Sequence, residues 1–113
     1  MIKIYHNPRC SKSRAGLKLL EASKNEFEII KYLDNPLSAK ELTAIIKKLN
    51  IEPINLVRKN EVIWKENYKN KALTNNEIIE ALLKNPKLIE RPIVSNKNKA
   101  VIGRPTEKII TIL

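Results

Sequence analysis

With 113 residues the chain can bury a core of its own but has no length for a second full domain. Its formal charge of +10 points towards nucleic acid, an acidic membrane surface or small anions, yet lysine supplies 17 of the 22 cationic residues and is scattered, with no run longer than Lys47-Lys48. Five widely separated aromatic residues cannot form a base-stacking platform, and one cysteine excludes an internal disulfide framework and a cysteine-cluster metal site.

In chain order, Met1-Ile2-Lys3-Ile4-Tyr5 alternates apolar and polar residues as a half-buried strand does. Asn7-Pro8 breaks it, because proline has no amide hydrogen and disfavours helix at the residue before it. A helical pattern through Leu17, Leu20 and Glu21 follows, then a second strand over Phe27–Leu33, ended by Asp34-Asn35-Pro36. Strand, crossover helix and strand predict a βαβ unit with parallel pairing.

Ser38-Ala39-Lys40-Glu41 is a capping-box pattern opening an amphipathic helix over about 38–50, with Leu42, Ile45, Ile46 and Leu49 on one face. Pro53 can start a short helix through Arg58. Residues 59–73 are polar and read as loop or short helical turns. Thr74-Asn75-Asn76-Glu77 repeats the capping box ahead of Ile78, Ile79, Leu82 and Leu83, in a helix that ends before Pro86. Ile89–Ser95 leads into a strand, Asn96–Lys99 forms a polar turn, and Ala100–Gly103 pairs back as a hairpin. After Arg104-Pro105, the apolar residues Ile109, Ile110 and Leu113 recur at helical spacing. The order predicts a single α/β domain over 1–113 with a helical insertion at about 37–85. No apolar run reaches membrane-spanning length and no signal pattern opens the chain, so a cytoplasmic protein without membrane contact is expected.

The chemistry concentrates in Tyr5–Arg14, which holds the only cysteine, the only histidine and two of the five arginines. Cys10 falls where a strand ends and a helix begins. There the first helical amides have no internal partners and the dipole favours an anion, so the thiol pKa is expected to fall, further so beside Arg9 and Arg14. Ser13 stands where a Cys-x-x-Cys motif would carry its resolving thiol. Internal disulfide chemistry is thereby excluded, and turnover must borrow a thiol from another molecule. Ser13 either donates to the sulfur or is an ordinary first-turn serine. His6 favours the thiolate as imidazolium, orients a neighbour as neutral imidazole, or is a structural strand-end residue.

Arginine is scarce here, and its planar fork suits oxyanions better than an ammonium does. Arg91 and Arg104 each precede a proline on either side of the hairpin, and Arg58 ends the Pro53 segment. These positions suggest a pocket for a small multivalent oxyanion rather than for a nucleic-acid backbone. Sequence alone leaves the isomer of Arg91-Pro92 open.

His6-Asn7-Pro8-x-Cys10-x-x-Ser13-Arg14, Arg58-Lys59-Asn60, Glu90-Arg91-Pro92-Ile93-Val94 and Gly103-Arg104-Pro105 together resemble the glutaredoxin-coupled arsenate reductase family, from Met1 to about Leu113. The resemblance implies a thioredoxin-like fold, a mixed β-sheet flanked by helices with an inserted helical subdomain. It implies a nucleophile at Cys10 surrounded by His6, Ser13 and Arg14, oxyanion binding by Arg58, Arg91 and Arg104, and a cis-proline at Pro92. It further implies arsenate as substrate, glutathione as co-substrate with no bound cofactor or metal, glutaredoxin as partner, and a monomer. Ser11, where better-characterised members tend to have glycine, and the end of the chain at Leu113 place the resemblance nearest the family's shorter branch. Two other functions are compatible with the superfamily. One is a redox-linked regulator binding RNA polymerase (the Spx type), whose switch needs the cysteine that Ser13 replaces. The other is a glutaredoxin-like enzyme acting on glutathione mixed disulfides.

Overall fold

The alternating N-terminal run forms β1 (Ile2–Tyr5), with Ile2 and Ile4 turned into the core. The computed structural model describes all 113 residues, which form two units, one of Met1–Asn35 with Arg91–Leu113 and the other of Pro36–Glu90.

In the first unit, α1 (Ser11–Ala22) follows β1, and β2 (Phe27–Ile30) pairs parallel with β1, Ile4 opposite Ile29. β2 stops earlier than its apolar run: the amides of Asp34 and Asn35 both donate to the Lys31 carbonyl, turning the chain while Tyr32 stays buried. β3 (Ile93–Asn96) lies antiparallel on the other side of β1, and β4 (Lys99–Ile102) completes the order β2-β1-β3-β4. The hairpin turn narrows to Lys97 and Asn98, since Asn96 pairs with Lys99, and Lys97 takes φ 56°. The last apolar run becomes a 3-10 helix, Thr106–Ile112, rather than an α-helix. Five of its seven residues are β-branched, which lowers α propensity, and the Thr111 hydroxyl donates to the Lys108 carbonyl at 2.6 Å. Ile2, Ile4, Leu20, Val94 and Ile109 form the core beneath the sheet, each burial stabilising by about 1.5–3 kcal/mol. The result is a mixed four-stranded sheet flanked by helices.

In the second unit both capping boxes form, Ser38 with Glu41 and Thr74 with Glu77, opening α2 (Ala39–Leu49) and α4 (Asn75–Lys84). Asn50 closes α2 in the left-handed region, which asparagine tolerates. Pro53–Leu56 and Pro86–Leu88 are 3-10 turns, and Val57 and Ile89 bridge antiparallel. The polar stretch 59–73 contains a short helix, α3 (Val62–Asn67), which buries Trp64 and stacks it on Tyr68 with ring centroids 5.4 Å apart. Leu42, Leu56, Leu82 and Leu88 are fully buried in this unit.

Candidate active site

Cys10 is the N-cap of α1, in extended backbone at φ −95° and ψ 123°, and is buried. The loop bringing it there is tied down by short-range bonds. The Cys10 amide donates to the Asn7 carbonyl at 3.0 Å, and the Arg9 amide donates to Asn7 Oδ1 at 3.0 Å. Arg14 donates from Nη1 to the Pro8 carbonyl at 2.9 Å, so this arginine staples the loop instead of reaching out over it.

Ser13 and His6 make a buried pair below the loop. His6 Nδ1 and Ser13 Oγ are 2.6 Å apart, and Ser13 Oγ also accepts from the Asn7 amide at 3.0 Å. Ser13 is 0% exposed and His6 4%. Burial, then Lys31 and then Arg14, pushes the His6 pKa below its ordinary value, which favours the neutral imidazole. His6 therefore orients the serine hydroxyl, and that hydroxyl is committed to the loop rather than to the sulfur.

The hairpin supplies the cations. The Arg91–Pro92 and Arg104–Pro105 peptide bonds are both cis. Arg104 Nε donates to the Arg91 carbonyl at 2.9 Å, which holds its guanidinium so that Nη2 lies 3.8 Å from Cys10 Sγ. The Gly103 amide donates to the Pro92 carbonyl at 2.8 Å, locking the two arginine-bearing segments together. Burial pushes the Cys10 thiol up, but the amides of Ser13 and Lys12 and the charge and side chain of Arg91 outweigh it. The net pKa lies below the ordinary thiol value. No capping hydrogen bond to the Cys10 side chain is formed, so these amides act on the sulfur as oriented dipoles.

The first unit thus brings together Cys10, His6, Ser13, Arg14, Arg91, Pro92 and Arg104. Arg58 belongs to the second unit. Its backbone amide donates to Leu88 O at 2.7 Å, and Nη1 donates to the Lys87 carbonyl at 3.1 Å and to Glu61 Oε1 at 3.3 Å. Three contributors are not evident from the pattern of charges: Asn7, whose side chain and carbonyl shape the loop, the Arg91 carbonyl that anchors Arg104, and the glycines around Pro92. The glycines do leave a signal, because the chain has only two. A Cβ at Gly16 or at Gly103 would come within 3.0 Å of Pro92 Cγ, and each would crowd Ile109 as well.

A buried thiol at a strand-to-helix junction, its pKa lowered and its sulfur faced by two guanidiniums, can hold an oxyanion and attack its central atom. The fold and this site define a thioredoxin-like α/β protein with a buried cysteine faced by arginine. The chain belongs to the ArsC family, whose family model matches residues 5–112. It is 44% identical over 114 residues to an arsenate reductase of Neisseria meningitidis (serogroup A / serotype 4A), covering 99% of this chain and 97% of that one. It is also 44% identical over 114 residues to the uncharacterized protein YfgD of Escherichia coli (strain K12), covering 99% and 96%. The structure of the arsenate reductase from Vibrio cholerae matches at a TM-score of 0.95 with 40% identity, over 99% of this chain and 97% of that chain.

Proposed function

We propose that this protein is a thiol-dependent arsenate reductase coupled to glutathione and glutaredoxin. The observation that carries the reading is the pairing of an activated Cys10 with the Arg104 guanidinium 3.8 Å from its sulfur, in a member of the ArsC family. Arg91 and Arg104 hold the arsenate, and their permanent charge stabilises it at working pH. The Cys10 thiolate attacks arsenic and an arsenate oxygen leaves as water, forming a sulfur–arsenic bond. A glutathione thiol then attacks the Cys10 sulfur. The sulfur–arsenic bond breaks with its electron pair passing to arsenic, which departs as arsenite, and a Cys10–glutathione disulfide remains. Glutaredoxin exchanges with that disulfide and frees Cys10, a step no residue of this chain can perform because Cys10 is its only cysteine. In this reading the chain acts as a cytoplasmic monomer without a bound cofactor, a single thioredoxin-like domain carrying Pro36–Glu90 as its helical insertion. No helix is long and apolar enough to cross a membrane.

The test is arsenate turnover with glutathione and glutaredoxin. Wild type is expected to be active and Cys10→Ser inactive, while Arg91→Ala mainly raises the arsenate concentration needed. Absence of wild-type turnover under those conditions rejects arsenate as the substrate.

A further inference from the structure

Three hydrogen bonds converge on Asn7, a half-buried residue that carries no charge and no nucleophile. Its carbonyl accepts from the Cys10 amide at 3.0 Å, closing a four-residue turn over Asn7-Pro8-Arg9-Cys10 with proline at its favoured second position. Its side-chain Oδ1 accepts from the Arg9 amide at 3.0 Å, so the residue bonds the backbone two positions on, as an Asx turn does. Its own amide donates to Ser13 Oγ at 3.0 Å and ties the loop to the start of α1. Cys10 leaves the turn in extended backbone, φ −95° and ψ 123°, with Sγ 3.8 Å from Arg104 Nη2.

The amide and carbonyl bonds are open to any residue with a free amide, but the Oδ1 bond needs this side chain. Pro8 has no amide hydrogen to give. Without Oδ1 the two middle residues of the turn keep a single side-chain tie, from Arg14 Nη1 to the Pro8 carbonyl at 2.9 Å, and that arginine is exposed. A sulfur that drifts from the amides of Ser13 and Lys12 and from Arg91 loses what favours its anion. From this arrangement we propose that Asn7 is a positioning residue for the reaction, its side-chain oxygen fixing the turn so that the Cys10 sulfur stays against α1 and Arg104. Asn7 acts through Cys10, so it governs how well the thiol attacks and not how tightly arsenate is held. Its role rests on Cys10 being the nucleophile of the proposed reaction.

Asn7→Ala removes the oxygen, and Asn7→Gln keeps the amide group but sets it one methylene too far out to close the same ring. Asn7→Ser retains an oxygen that can accept, more weakly, from the amide two residues on. Cys10 alkylation followed against pH needs no arsenate. In Asn7→Ala and Asn7→Gln its midpoint should rise towards the free-thiol value of about 8.5, and Asn7→Ser should return it part of the way to wild type. With arsenate, glutathione and glutaredoxin, kcat should fall by about tenfold to a hundredfold in Asn7→Ala and Asn7→Gln, with the arsenate KM near that of wild type. A midpoint that both variants leave at the wild-type value overturns the proposal, as does an Asn7→Ser variant no better than Asn7→Ala. A change confined to KM overturns it too and places Asn7 in anion binding. Absence of wild-type turnover rejects arsenate as the substrate, and the alkylation midpoints then decide the role of Asn7 by themselves.

Discussion

Cys10 shows how closely the state of one atom depends on its surroundings. Burial alone would make this thiol harder to ionise, and a buried cysteine is ordinarily inert. Two helical amides and Arg91 reverse that balance. The midpoint of Cys10 alkylation against pH is accordingly expected below the free-thiol value of about 8.5, and Arg91→Ala should move it upward. A midpoint at the free-thiol value that Arg91→Ala leaves in place would remove the arginine from the site. Arg104 is held differently, through its Nε on the Arg91 carbonyl, so its terminal nitrogens remain available to the sulfur and to an anion. His6 and Ser13 serve a third purpose. As a neutral, buried pair bonded to the Asn7 amide they keep the loop, and with it the cysteine, at the start of α1.

Among the elements, α1, the loop before β3 and the 3-10 helix Thr106–Ile112 meet at Pro92. Gly16 from α1 and Gly103 from the end of β4 both lie against its ring and against Ile109. Glycine inside α1 costs about 0.5–1 kcal/mol of helix stability, and here close approach is what requires it. Gly103→Ala should destabilise by about 1–3 kcal/mol in urea unfolding, because its Cβ would sit 3.0 Å from both Pro92 Cγ and Ile109 Cδ1. It should also lower activity, since Arg104 follows directly. A neutral substitution would mean that the Ile109 side chain turns aside freely.

For the whole molecule, the buried histidine links acid to unfolding. The folded His6 pKa is depressed, so below about pH 6.5 the unfolded chain takes up a proton that the folded chain resists. The stability linked to His6 is therefore complete above that pH and falls as pH drops through it. Urea unfolding compared between about pH 7 and pH 5 should show a loss that is smaller in His6→Gln, whose side chain does not titrate. An identical loss in the variant would assign acid sensitivity to the carboxylates instead. The +10 charge belongs to this scale too. Its lysines are mostly solvated.

Local physics makes much of this protein readable in its residues. The alternating strand, both capping boxes, the prolines that end elements and the strand-to-helix placement of Cys10 all depend on interactions within a few positions, and each appears where its pattern stands. The short helix at Trp64 and the 3-10 geometry of the last segment were less legible. The first is held by burial and stacking, and the second by a balance between β-branched residues and a core position at Ile109. Spacing marks Arg91 and Arg104 as a pair, but it cannot show that one hangs on the carbonyl of the other, nor that both prolines are cis. Nor does it show Arg14 turned back to Pro8 and Ser13 turned to His6. Those choices depend on hydrogen-bond partners and close packing that exist only once distant segments have come together, and no pattern along the chain encodes a distance across it.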